Sequence, residues 1–271
     1  MYSENMERLA TAMLAFAIMA AAVSTARADP PTTCNTTKTG GMIDGNVVIS
    51  GTCTLIDVTV GGNVLVGTGA ALTVEGGKVA GNIQANGCNF VRLQPDASDT
   101  APSVGGNVQI SMCTGVNSFN GYHSFGVTDI AGNFQCHNNA QACLALNGKV
   151  GGNLQVYDNS PSDGTEIGSN TVGGSLQVYG NTNGVGGLSV SSNRVEGNLA
   201  FNDNTECFCE IDSNTVGGNV QVNRNSVNGI IPELDVSANI IGGNLSCQSN
   251  TGLTGSGNTV HGKELDQCVG F

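Results

Sequence analysis

The chain has 271 residues, of which 40 are glycine and 32 asparagine, with 39% hydrophobic and 11% charged residues and no tryptophan. The apolar fraction is too high for a disordered chain, and glycine with proline stays under the ~25–30% that marks structureless low complexity. A net charge of −12 excludes nucleic acid as a partner, because phosphate contact needs clustered Lys and Arg.

Leu9 to Val23 is an uncharged, mostly apolar run of 15 residues. That is short of the ~20 residues that span a bilayer. Arg8 precedes it and Ala26-Arg27-Ala28 follows, with small residues where a signal peptidase requires them. The pattern predicts a secretory signal peptide over residues 1–28, cleaved after Ala28, and no transmembrane segment after cleavage. A buried helix is the alternative. Glu4 is unusual in a positive leader, and a start at Met6 would remove it. No Leu-x-x-Cys box suggests a lipid anchor. The expected destination is the periplasm or the exterior. Residues 29–271 then form the folded domain, and they carry the whole net charge.

The phrase Val-Gly-Gly-Asn-Leu-Gln-Val recurs along this domain. Its Asn, or a substitute, falls at Asn46, Asn63, Asn82, Asn107, Asn133, Asn153, Ser175, Asn198, Asn219 and Asn244. The mean interval is 22 residues, and a degenerate copy at Val260-His261-Gly262-Lys263 closes the series. Apolar-polar-apolar triplets such as Leu154-Gln155-Val156 follow the Asn, and period-two alternation marks strands. Later copies add a second strand, as in Leu188-Ser189-Val190, Cys209-Glu210-Ile211 and Leu234-Asp235-Val236. Each of these ends at an Asn three residues on: Asn193, Asn214 and Asn239.

A unit this small cannot bury its apolar face alone, so the copies must stack. The fold class predicted is all-β: a single-stranded right-handed parallel β-helix (solenoid) of about ten coils, ~22 residues per coil. An antiparallel sandwich is the alternative, but it does not require one residue type at one place in every copy. Residues 86–102 and 114–128 depart from the repeat and read as loops leaving the stack. The first holds Arg92, Pro95, Asp96, Asp99 and Pro102. The second holds Phe119, Tyr122, His123 and Phe125.

Alignment on the motif Asn produces columns along the stack. The next position holds Val47, Val64, Ile83, Val108, Phe134, Leu154, Leu176, Leu199, Val220 and Leu245, an inward column. Beside it an outward column reads Gln84, Gln109, Gln135, Gln155, Gln177, Ala200, Gln221 and Ser246. The fourth position reads Ser111, His137, Tyr157, Tyr179, Asn202 and Asn223. The sixth holds Asn159, Asn181, Asn204, Asn225 and Asn250, an asparagine ladder at a turn. Cys88 and Cys113 occupy that same column, so stacking brings them within disulfide range.

All ten cysteines follow the leader, and an even number in an exported chain predicts disulfides. Cys88–Cys113 is the best pair. Cys34–Cys53 and Cys247–Cys268 would staple the two ends, and Cys136 with Cys143 closes a short loop. Cys207 and Cys209 remain. An i,i+2 bridge between them is strained, and the alternative is metal binding with Glu206 and Glu210. No Cys-x-x-Cys or His-Cys spacing supports zinc, and no metal or other cofactor is expected.

Two candidate sites follow from the columns. Gln135, His137, Gln155, Tyr157, Gln177 and Tyr179 would form one strip over three coils, suited to a polysaccharide or cell-surface glycan. Amides would bond sugar hydroxyls while aromatic faces pack on the rings. The same residues can instead simply stiffen the sheet. Glu166, Ser189, Glu210 and Asp235 would form an acidic column on the second strand, in which Glu210 and Asp235 are the catalytic candidates. Solvated surface acids are the alternative reading there.

By the motif Gly173-Gly174-Ser175-Leu176-Gln177-Val178 and its copies, the chain resembles secreted bacterial β-helix repeat proteins. The resemblance covers nearly all of residues 29–271. It implies the architecture and no single activity, since such scaffolds carry polysaccharide lyases, glycosidases, adhesins and surface proteins. The function expected is therefore an exported, non-catalytic structural or adhesin-like module, with glycan bound along one face or end-to-end self-association. A polysaccharide lyase or glycoside hydrolase is the alternative. The pectinase-type signatures Asn-Thr-Asp, Asp-Asp and Gly-His-Gly are absent.

Overall fold

The computed structural model describes residues 30–271, apart from 120–127, 162–163, 183–185 and 228–232 and the side chains of Phe119 and Cys207. The expected leader lies outside the described residues, as do Tyr122, His123 and Phe125. Every regular element among the described residues is a β-strand. Strands at equivalent places in successive coils pair in parallel and build three sheets. The first sheet runs from Thr32–Cys34 to Glu264–Asp266, and the second from Thr37–Thr39 to Leu253–Ser256. The third runs from Met42–Ile43 to Thr259–Val260 and has 11 strands, one per coil, close to the ten coils expected. The chain is a parallel β-solenoid.

The strands lie where alternation placed them. Leu154–Tyr157 pairs with Leu176–Tyr179 so that Leu meets Leu, Gln meets Gln, Val meets Val and Tyr meets Tyr. The expected inward column is buried throughout, from Val47 to Leu245. Each such side chain gains roughly 1.5–3 kcal/mol from leaving water. The second strand appears in every coil, not only in the later copies. The third sheet went unseen in the repeat. Its strands are two residues long, such as Lys149–Val150 and Thr171–Val172, and end at the Gly-Gly step.

Three asparagine ladders close the corners. At the Gly-Gly corner each motif Asn receives a backbone N–H from the next coil, as Asn153 N donates to Asn133 Oδ1 at 2.7 Å. This explains the glycine just before it. A Cβ at Gly174 would collide with Asn153 Oδ1 and the Gly152 backbone, and Gly62, Gly132, Gly218 and Gly243 repeat that contact. The preceding position is less strict, since Ala80, Ala131 and Glu196 stand there. Ser175 substitutes for Asn because its Oγ still accepts from Asn198 N, at 3.2 Å.

The other two ladders are buried. Asn139, Asn159, Asn181, Asn204, Asn225 and Asn250 line the corner after the first sheet. Asn170, Asn193, Asn214 and Asn239 line the corner after the second. Asn181 shows why asparagine suits the ladder. Its Oδ1 accepts from Asn159 N (3.1 Å) and Asn159 Nδ2 (3.0 Å). Its Nδ2 donates to Asn204 Oδ1 (3.0 Å) and Val156 O (3.1 Å). Aspartate lacks the donor, and glutamine is a methylene too long. The residue before each ladder Asn turns the chain with a positive φ, as at Asp158 (53°), Asp203 (56°) and Ser213 (56°).

The two expected excursions are smaller than the sequence suggested. Within 86–102, Phe90–Gln94 forms a second-sheet strand in register with Ala71–Glu75. Within 114–128, Asn117–Phe119 pairs with Cys143–Ala145. Asp96 organises residues 95–100 by accepting from Ser98 N and Thr100 N, each at 2.8 Å. Four disulfides join Cys34–Cys53, Cys88–Cys113, Cys136–Cys143 and Cys247–Cys268, the four expected pairs. Cys209 is also disulfide-bonded and so is not a thiolate for metal. A disulfide set of this kind belongs to an oxidising compartment, extracellular or periplasmic.

Candidate functional site

The outward face of the first sheet brings the six expected strip residues together. Gln135, Gln155 and Gln177 share one register line, and His137, Tyr157 and Tyr179 share another. All six are half-buried. Gln135 Nε2 donates to Gln155 Oε1 at 2.6 Å, and Gln155 Nε2 donates to Gln177 Oε1 at 2.5 Å. The rings of His137 and Tyr157 stack with centroids 4.6 Å apart and planes within 1°. Those of Tyr157 and Tyr179 stack at 4.7 Å and 8°. Strand spacing sets this distance, since side chains one coil apart in register are held near 4.8 Å.

This geometry decides how the strip can meet a ligand. Each interior ring face is covered by the ring of the next coil, so a sugar cannot pack on it. What remains toward solvent is ring edges, hydroxyls and the amides' unused valences. Burial pushes the Tyr179 phenol up to about 12, reinforced by Tyr157 and Asp158. Burial also raises Tyr157, with Asp158 adding to it. Burial lowers His137, against a smaller opposing pull from Asp158. Asn138 Nδ2 lies 3.0 Å from His137 Nδ1. As the donor there, it leaves the ring proton on Nε2, which is buried without a partner among the described residues. The column continues as Asn202 and Asn223, where Asn223 N donates to Asn202 Oδ1 at 3.1 Å.

The acidic column also forms. Glu166, Ser189, Glu210 and Asp235 are successive register partners on the second sheet. Burial raises the Glu210 carboxyl, and Asp212, Asp235 and Glu233 raise it further. Asp235 Oδ1 accepts from Ser237 Oγ at 2.6 Å. Among the described residues no group of three or more His, Cys, Asp or Glu is placed to hold a metal ion. The one ion pair found among those residues joins Arg224 to Asp203 at 2.7 Å, away from this column.

Asn139 belongs to the buried ladder but was missed in the sequence. Its signal was present, because it stands six positions after Asn133 as Asn159 does after Asn153. A set of cations on the third sheet was also missed, because that sheet itself was not recognised.

Fold and site together define a parallel β-solenoid whose polar columns are bonded mainly to their own copies. Comparison with known proteins found no matching family, no matching curated relative and no matching solved structure.

Proposed function

We propose that this chain is an exported, non-catalytic rod of the secreted bacterial β-helix repeat type. It acts as a structural or adhesin-like module of the cell envelope or exterior. The observation that carries this reading is the fate of the asparagines and glutamines. They bond one another from coil to coil, as Gln135–Gln155–Gln177 and Asn159–Asn181–Asn204 do. Such residues stiffen a scaffold and have little left to offer a reaction. The disulfides and the sequence of residues 1–28 support export. Among the described residues, terminal strands Thr32–Cys34 and Leu253–Ser256 have a neighbour on one side only, which supports end-to-end association.

The test is expression with the leader intact, followed by fractionation and N-terminal sequencing. The expected product is exported and begins at Asp29. Retention in the cytoplasm with an intact N-terminus would remove the reading. Sedimentation of the purified product then checks assembly, for which a sharp monomer at high concentration counts against association.

A second reading has one observation in its favour. The raised Glu210 carboxyl beside Asp235 suits a general acid in a glycoside hydrolase. Release of products from a polysaccharide panel, abolished by Glu210→Gln, would support it. No release by the unaltered protein would dismiss it.

A further inference from the structure

The third sheet lines up three of the few cations of the folded domain. Its outward register line runs Lys78, Ser103, Asp129, Lys149, Thr171 and Arg194. Only seven Lys and Arg lie in residues 29–271, and three of them stand on this one line of a chain with net charge −12. The alternate residues of the same strands, Val79, Val104, Ile130 and Val150, are core. The charged side chains are therefore held pointing outward by the register itself.

Between Lys78 and Lys149 lies a shallow groove of about 330 Å³, lined also by Ser103, Asp129, Gly105 and Gly151. The glycines make the concavity. They follow the strands at the corner where their lack of a side chain leaves the surface open. A Cβ there would also strike the preceding coil, at Ala80 O and Ala131 O respectively. Lys78, Asp129 and Lys149 are exposed. The only ion pair found among the described residues is Arg224–Asp203, so neither lysine is held in a contact pair with Asp129 and both ammonium groups can meet a ligand.

From these observations we infer that the third-sheet groove binds a carboxylated oligosaccharide lying along the solenoid axis. Lys78 and Lys149 stand three coils apart, about 14 Å at strand spacing, and each pairs with a carboxylate of the ligand. Asp129 and Ser103 between them bond the sugar hydroxyls. Arg194 extends the line two coils further for a longer chain. The central carboxylate selects the class of ligand. It accepts hydrogen bonds from the hydroxyls of a polyol, which polyphosphate lacks, and with the −12 charge of the chain it opposes the dense charge of polyphosphate more strongly than single carboxylates spread one to a sugar ring. The groove is separate from the first-sheet strip, and its ligand does not depend on it.

Calorimetric titration of the purified protein with a uronate hexasaccharide tests this, with a neutral glucose hexasaccharide and inorganic polyphosphate as comparators. The uronate should bind, weakening as salt is added, and neither comparator should match it. Lys78→Ala and Lys149→Ala should each lower affinity about tenfold, the scale of one charge-assisted contact. Both positions are exposed, so unchanged thermal melting will show that the variants fold. Tyr157→Ala with Tyr179→Ala should leave uronate binding unchanged. Absent uronate binding, equal binding of either comparator, or full affinity in Lys78→Ala/Lys149→Ala would overturn the proposal. Loss of binding in the tyrosine variant alone would overturn it too, by moving the ligand to the first sheet.

Discussion

One corner of this solenoid is stitched in two different ways. After the first sheet, in the coils of Ile83–Asn86 and Val108–Ser111, the corner is joined covalently by Cys88–Cys113, with Cα atoms 4.4 Å apart. From the next coil onward the same place is held by the ladder Asn139 to Asn250. The change-over is direct, because Cys113 N donates to Asn139 Oδ1 at 2.8 Å. Both devices tie coil to coil, yet they act on different states. The disulfide works mainly by restricting the unfolded chain. The amides satisfy buried backbone groups in the folded one. The disulfide lies in two of the three longest coils, of 25 and 26 residues, where chain entropy is among the greatest.

The comparison can be broken or sharpened by substitution. The largest effect is on what both devices presuppose. Leu176→Asp puts a charge into the dry interior and should abolish folding, read as loss of the β-type circular dichroism spectrum. Asn181→Ala comes next. It orphans Asn159 N, takes one of the two acceptors of Asn159 Nδ2, removes the donor to Val156 O, and should destabilise by about 4 kcal/mol in denaturant unfolding. Cys88→Ala with Cys113→Ala should follow at about 3 kcal/mol. Reducing agent should then destabilise the cysteine variant less than the unaltered protein, because one bond is already gone, and Asn181→Ala as much as the unaltered protein. If the cysteine variant proves costlier than Asn181→Ala, the ranking of the two devices is reversed.

Smaller effects refine the picture. Met112 turns the covalent part of the corner at φ 53°. Met112→Gly should stabilise by about 0.5–1 kcal/mol, seen as a higher melting temperature. The least effect concerns pH. Tyr179 is held near 12, above the ~10 of a free tyrosine. A group raised in the folded state adds stability below its unfolded pKa and loses it as pH climbs through the folded one. The stack should therefore weaken between about pH 10 and 12. Ultraviolet titration should show a phenol ionising late, and a normal midpoint for every tyrosine would contradict the packing described.

Much of this was legible in the residues. The motif Asn and the Leu-Gln-Val triplet located the first sheet, its register and its core face. The four cysteine pairs followed from a shared column, the two chain ends and a short loop. The third sheet was hidden because two-residue strands are too short to show alternation, so Lys78, Lys149 and Arg194 looked scattered. The strand at Phe90–Gln94 was hidden by Arg92 and by the loop after it. Arg92 is exposed, and it lies with its guanidinium carbon 5.4 Å from the centre of the Phe90 ring.

The abundance of glycine and asparagine determined by itself that coils would stack, since only a repeated contact explains one residue type at one place in every copy. It could not determine which groups face each other in space. Tertiary structure decided that the tyrosine faces are spent on one another, because strand spacing equals the distance at which rings stack. It also decided that three distant cations share one line, because the path around each coil returns every 22 residues or so to the same edge.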